Sequence, residues 1–314
     1  MRCFVLLLML LAAHTPLLYG SGPVAMFWNV ENFFDYKDGG TGTSDTEFSP
    51  QGQRHWTASR FYRKATLIAK SVYFISDRYG GMPDVIGLAE VENKRVLNKL
   101  LYDTPLRKAG YSVVHYDSPD RRGIDVALLY RSAALHKIDE DTIQIASFKT
   151  RNILSVQLEE ESGLRRTYIV VHFPSKYGGR SSDGRRKVVA RRLRDYVDSV
   201  SAARGEEIVV MGDFNDTPHS DCFEILRASL HCLAADTTLK GRGTIRYDGL
   251  WQLIDMFWTK SLNYEMQIVE LPFLMKRDNT RVGDKPLRTY TGPVYEGGVS
   301  DHLPIVLLSV EKKY

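Results

Sequence analysis

The sequence predicts an α/β protein in which short buried strands alternate with amphipathic helices along one domain. Apolar, β-branched runs such as Val85-Ile86-Gly87-Leu88-Ala89 and Ile208-Val209-Val210-Met211 have the length and composition of buried strands. Between such runs, Phe61, Ala65, Leu67, Ile68, Val72 and Tyr73, and later Val188, Val189, Leu193, Tyr196, Val197 and Val200, recur at helical spacing. No repeat, linker or low-complexity segment divides the chain. Its 314 residues, 43% hydrophobic and 25% charged, suffice for one large core. A net charge of +4 permits a polyanionic substrate without demanding one.

Taken in order, residues 1–20 read as a signal peptide. Arg2 precedes the apolar run Phe4 to Ala13, too short to span a bilayer comfortably, and Tyr19-Gly20-Ser21-Gly22 offers cleavage after Gly20. The expected product is an exported, periplasmic or secreted domain over 21–314, with no stable membrane association once the leader is removed and no implied protein partner. Export leaves Cys222 and Cys232, which suggest one disulfide across a short loop or two unpaired thiols. No Cys/His spacing matches a zinc site.

Val24 to Trp28 is a strand ending on Asn29-Val30-Glu31, and 38–52 is a Gly-, Ser- and Asp-rich loop. A helix spans Ala58 to Ser76, its basic residues, Lys64 included, forming a solvated face. The strand Val85 to Ala89 stops at Glu90, and a helix follows through Val96 and Leu100. Strands are expected at 113–116 and 125–130, flanking the basic turn that carries Arg121 and Arg122. A hairpin follows at 153–158 and 166–171, turning at Glu161-Ser162-Gly163. It leads to His172-Phe173-Pro174-Ser175-Lys176 and then to a helix whose polar side holds Arg185 and Arg186. The strand 208–213 opens into Asp213-Phe214-Asn215, where the spacing aims both polar side chains at one point or makes an Asx turn. A strand at 251–254 reaches Asp255, and Ser300-Asp301-His302 leads into Ile305 to Leu308.

Apolar strands thus repeatedly meet a polar residue fit for catalysis: Asn29 and Glu31, Glu90, His172, Asp213 and Asn215, Asp255, Asp301 and His302. Each alone reads as a solvated strand end or a satisfied core residue; together they describe a site built at one sheet edge. Oxygen donors without thiolates favour a hard cation, Mg²⁺, or Mn²⁺ or Ca²⁺. Carboxylates, histidines and amides around such an ion suit phosphoester hydrolysis by a positioned water. No Ser or Cys elbow motif argues for a covalent intermediate.

Trp28-Asn29-Val30-Glu31, Gly87-Leu88-Ala89-Glu90, Val171-His172-Phe173-Pro174, Gly212-Asp213-Phe214-Asn215, Leu253-Ile254-Asp255 and Ser300-Asp301-His302 occur in the order seen in the endonuclease/exonuclease/phosphatase superfamily. The chain resembles its deoxyribonuclease I-like members over about residues 24 to 310, and most resembles exported bacterial nucleases. The resemblance implies a four-layer α/β sandwich of two mixed sheets flanked by helices. It casts Glu90 as principal metal ligand, with Glu31 and Asp301 as further ligands and Asn29 near Glu90 and the phosphate. Asp213 would orient or deprotonate water, Asn215 would contact phosphate, and Asp255 would fix the tautomer of His302. His172 stands where abasic-site nucleases carry Tyr, and Ser175 where repair nucleases carry Asn. The implied function is metal-dependent hydrolysis of DNA or RNA. A phosphomonoesterase or sphingomyelinase-like lipid phosphodiesterase of the same fold is the alternative, and an inactive binding module a third. Leu271 to Met275 is the one apolar stretch fit for a lipid surface. If the substrate is a polymer, Arg121, Arg122, Arg185 and Arg186 are placed to track its backbone; otherwise they are solvated faces.

Overall fold

The computed structural model describes residues 24–37, 39–40, 42–176, 180–235 and 241–310, without the side chains at 180 and 181; the expected leader lies outside them. β1 (Ala25–Phe33) leads to α1 (Ala58–Tyr79), β2 (Val85–Val91), α2 (Lys94–Tyr102), β3 (Tyr111–His115) and β4 (Asp125–Arg131). β5 (Leu135–Ile143), β6 (Ile153–Glu160) and β7 (Arg165–His172) form a meander before α3 (Arg180–Arg204) and β8 (Glu207–Asp213). Then come β9 (His231–Cys232), the hairpin of β10 (Ile245–Tyr247) and β11 (Leu250–Gln252), β12 (Asp255–Thr259) and β13 (Tyr264–Ile268). Two more small hairpins, β14 (Met275–Arg277) with β15 (Asp284–Pro286) and β16 (Tyr290–Thr291) with β17 (Val294–Tyr295), precede β18 (Ile305–Ser309).

Two six-stranded mixed sheets result, ordered β13-β18-β1-β2-β4-β3 and β5-β6-β7-β8-β12-β9. Side-chain alternation decides which way each strand contributes. In β1, Ala25 and Phe27 face the second sheet and share a core with Ile169, Val171 and Met211, whereas Met26 and Trp28 face α1 and α2. The two sheets approach closely at Gly87, where a Cβ would lie 2.8 Å from the Met211 sulfur. α3 covers the other face of the second sheet with Val189, Leu193 and Val197. This is the four-layer sandwich expected.

The differences from the sequence reading have local causes. α1 runs three residues beyond Ser76, because Gly80 in the left-handed region (φ 80°) is what closes it. β5, His136-Lys137-Ile138-Asp139-Glu140 at its centre, is an edge strand whose charges hide any alternation. Lys64 is no surface lysine; it is fully buried and donates to the Glu31 carbonyl and, at 2.7 Å, to Thr289 Oγ1. Cys222 and Cys232 are both free. The Cys222 sulfur lies 3.2 Å from Ser220 Oγ and that of Cys232 lies 3.8 Å from Met256 Sδ, so each thiol has its own neighbour rather than the other. Leu271 and Leu274 are buried, and the half-buried Phe273 packs edge-on to Phe74, so this stretch presents no apolar hairpin. Among the described residues no helix is long and apolar enough to cross a membrane.

Candidate active site

The second sheet sets one row of the site by register alone. β7 pairs parallel with β8 so that His172 lies beside Asp213, and β12 pairs antiparallel with β8 so that Asp255 lies on its other side. Asp255 is therefore the first residue of β12 rather than the end of a strand; Trp251 and Gln252 belong to the separate β10–β11 hairpin. Antiparallel pairing brings the start of β12 to the edge where β8 ends. Phe214 turns into the core, while the Asn215 N–H donates to Asp213 Oδ1 at 2.9 Å and Asn215 adopts φ 52°. The Asx turn is thus real and is the device that aims Asp213 outward.

The first sheet supplies the facing row. β1 and β2 slip register between Asn29 and Phe33 and between Ala89 and Val91. At those slips Glu31 (φ 46°), Asn32 (φ 51°) and Glu90 (φ 64°) take left-handed backbone conformations. Such strain in three non-glycine residues at one sheet edge is typical of functional positions. Glu90 does not terminate its strand, which continues to Val91; it bulges out of it.

Asp213 is the meeting point of the two rows. Its Oδ2 accepts from Asn29 Nδ2 at 3.0 Å and lies 3.5 Å from His172 Nε2 and 3.8 Å from His302 Nε2. Asp255 Oδ2 lies 2.8 Å from His302 Nδ1, so the two pair as the resemblance implied. His302 is further fixed through its backbone: its N–H donates to Ser300 Oγ at 3.0 Å and its carbonyl accepts from Trp28 Nε1 at 2.9 Å. Burial pushes Asp213 up to about 7, with the charge of His302 pulling against it and that of Asp255 adding to it. Burial works against a charged His302, but Asp255 and Asp213 outweigh it and hold it well above the usual imidazole value. His172 goes the other way, pushed well below that value by burial and then by Arg151. One histidine is thus held cationic and the other neutral around one carboxylate.

The three carboxylates expected to hold metal each carry an arginine here. Arg288 donates to Glu31 Oε1 at 2.7 and 3.0 Å and lies 3.1 Å from Asp301. Arg122 reaches Glu90 Oε2 at 3.1 Å, and the Asn32 N–H donates to the same oxygen at 2.9 Å. Glu31 is pushed up to about 7 by burial and then by Asp301. Burial would raise Glu90 too, but Arg122 above all holds it down at about 2. The donor set is all oxygen, which fits a hard divalent cation, and both arginines keep 43% and 44% of their side-chain surface in solvent. Among the described residues, Glu31, Glu90 and Asp301 do not bring three ligand atoms within 4.8 Å of one another; those of Asp213, Asp255 and His302 do, although the Asp255–His302 contact is already a hydrogen bond.

Of the expected phosphate and rim residues, Asn29 and Asn215 reach the site, the latter anchored by its Nδ2 to the Phe173 carbonyl at 3.0 Å. Ser175 is exposed on the wall of a cleft of about 600 Å³ that opens beside Asn215, Asp301 and Arg288. Arg121 and Arg185 are exposed, but Arg122 is committed to Glu90. Arg186 does not stand on the expected solvated rim: it is 1% exposed, paired with Asp183 and at 3.3 Å with Asp216, and tracks nothing in solvent. The cleft's cations come instead from Lys176, Arg246, Lys276, Lys285 and Arg288. Sequence reasoning missed Arg288 and Lys64. For Arg288 no periodicity marks the segment; for Lys64 there was a signal, since it sits on one helical stripe with Phe61 and Ile68.

A sequence model described as the Endonuclease/Exonuclease/phosphatase family matches residues 24–312. No curated protein matches the sequence. Among solved structures, the human Nocturnin catalytic domain with bound sulfate anion is 16% identical, with TM-score 0.60 over 92% of this chain and 95% of that one. The Bacteroides thetaiotaomicron mannosyl-6-phosphatase is 13% identical, with TM-score 0.58 over 91% and 99%. Truncated Caenorhabditis elegans TDP2 is 15% identical, with TM-score 0.56 over 91% and 96%. At these identities the likeness is one of fold.

Proposed function

Because this chain belongs to the endonuclease/exonuclease/phosphatase family of phosphoester hydrolases, we propose that it is a divalent-metal-dependent phosphodiesterase that cleaves nucleic acid by direct attack of water. The observation that carries this reading is Asp213, a buried carboxylate 3.0 Å from the Asn29 amide, 3.5 Å from His172 Nε2 and 3.8 Å from His302 Nε2. Asp213 takes the proton of the attacking water. His302, kept cationic by Asp255, stabilises charge on the phosphoryl oxygens, as a preorganised donor does best in a dry site. Asn215 and Asn29 orient the phosphate. A divalent cation among Glu31, Glu90 and Asp301 would supply Lewis-acid screening of that phosphate. The cations of the cleft support a substrate bearing more than one phosphate. The charge pattern of residues 2–13 and the small residues around Gly20 support export of the mature enzyme.

A second reading rests on the cleft itself. Its volume of about 600 Å³ is that of a small-molecule site, which favours a compact phosphomonoester. Purified protein with Mg²⁺, assayed in parallel on plasmid DNA, RNA, nucleotide and sugar monophosphates, separates the two. Cleavage of polymer that vanishes with EDTA and in Asp213→Asn supports the first. Release of phosphate from monoesters with intact polymer replaces it by the second.

A further inference from the structure

The β10–β11 hairpin is welded to the catalytic pair. The Leu303 N–H donates to the Thr244 carbonyl at 2.7 Å, Ile245 bridges to His302, and Thr244 Oγ1 accepts from the N–H groups of Ile254 and Asp255, each at 3.3 Å. Its far end is equally fixed. Arg246 donates to the carbonyls of Gly249 at 3.2 Å, Asp284 at 3.0 Å and Val282, and Arg281 Nε pairs with Asp248 Oδ1 at 3.1 Å. The hairpin is therefore a rigid wall tied at its root to the site and at its tip to the β14–β15 hairpin.

Its pairing determines what that wall shows. Ile245 lies opposite Gln252 and Tyr247 opposite Leu250, so all four side chains project from one face. Ile245, Tyr247 and Gln252 line the cleft that also reaches Asn215, Asp301 and Arg288. Tyr247 and Leu250 stay 64% and 71% exposed, a large apolar surface left in water. Lys276 and Lys285 of the neighbouring hairpin line the same cleft.

We propose that this face seats a nucleobase, stacked on Tyr247 against Ile245 with the Gln252 amide at the base edge. The substrate is then a phosphate ester of a nucleoside whose ring lies next to the scissile phosphate. The proposal deepens the phosphodiesterase reading and rests on it for the position of that phosphate. A flat apolar face beside a phosphate site matches a base, which stacks without regard to sequence; a bare sugar phosphate would leave Tyr247 uncovered. Whether the nucleoside ends a polymer or stands alone does not alter the contact.

Calorimetry in EDTA, where no turnover intervenes, tests the seat independently of the chemistry. Thymidine 3′,5′-bisphosphate and the base-free sugar phosphate of equal charge, 2-deoxyribose 3,5-bisphosphate, are titrated into the wild-type protein, Tyr247→Ala and Tyr247→Phe. The expected result is nucleotide binding tighter than sugar phosphate by about tenfold or more, lost in Tyr247→Ala and kept in Tyr247→Phe. Equal affinity for the two ligands, no nucleotide binding by the wild type, or an unchanged affinity in Tyr247→Ala overturns the proposal. Failure of the hydrolytic reading shows separately, as absence of Mg²⁺-dependent cleavage by a protein that still binds the nucleotide.

Discussion

Asp255 Oδ2 and His302 Nδ1, 47 residues apart, lie 2.8 Å from one another with both side chains buried. They arrive from different sheets, Asp255 at the start of β12 and His302 just before β18. Either residue alone loses its purpose: an unpaired buried carboxylate has no partner, and an unpaired buried imidazole loses its charge. Asp255→Ala and His302→Ala should each lower kcat, and the double mutant should lose little more than the worse single one. Fully additive losses would show that the pair does not act as a unit.

The pH profile follows from two opposite shifts. In the proposed mechanism Asp213 accepts a proton only when ionised, and it is pushed up to about 7, so kcat should rise as pH passes through about 7. His302 must be protonated and is held well above the ordinary value, so its loss of charge limits the rate only on the alkaline side. Removing the Asp255 charge lowers the His302 pKa, which moves the alkaline limb of Asp255→Asn to lower pH. A profile whose alkaline limb stays in place in that mutant refutes the assignment.

Arg288 is within Coulomb reach of Glu31, Asp301 and Glu90, and places positive charge where a divalent cation is expected. Arg288→Gln should therefore tighten Mg²⁺ or Mn²⁺ binding severalfold by calorimetry. The effect is modest because the guanidinium is half exposed and partly screened. Unchanged or weakened metal affinity would mean that the arginine and the cation do not share the carboxylates.

How much of this the sequence shows depends on whether a residue's role is local. The strand runs were legible from composition, and the site positions from polar residues at strand ends, because a sheet carries its neighbours to a common edge. The direction of β12 was not legible: Leu253-Ile254-Asp255 reads equally as a strand ending or beginning at Asp255, and only pairing with β8 decides. The register slips at Glu31 and Glu90 were hidden as well, since no glycine marks those left-handed backbones. Arg186 was misplaced because helical periodicity fixes a face but not what the loop after β8 lays over it; Asp216 does so here. Lys64 could have been found from its stripe on α1.

The two cysteines give a direct chemical test. Each thiol is pushed up by burial, that of Cys232 to about 12, and neither bridges the other. Alkylation in denaturant without reductant should label both Cys222 and Cys232, read by peptide mass. Labelling of neither would reveal a Cys222–Cys232 disulfide.

The basic residues of the cleft separate polymer from monomer substrates through salt. Lys176, Lys276 and Lys285 line the cleft, each paired with one carboxylate: Asp216 at 2.7 Å, Glu296, and Asp278 at 3.1 Å. These lysines keep between 26% and 46% of their side-chain surface in solvent, so a phosphate can compete for them. Each phosphate contact releases counterions and adds about 0.9 to the slope of log affinity against log salt. Changing all three to Gln should therefore flatten the slope for DNA or RNA binding by up to about three units. Hydrolysis of a small chromogenic phosphodiester should barely change. Arg186 is the control, since its buried guanidinium is held by Asp216, Asp183 and the Pro174 carbonyl. Arg186→Ala should lower stability by emptying a fully buried site and removing the more distant of Asp216's two cationic partners, with the salt slope of the folded fraction unaltered. If the triple lysine variant binds and cleaves polymer like the parent at every salt concentration, the cleft cations serve their own carboxylates, and the compact monoester becomes the better substrate.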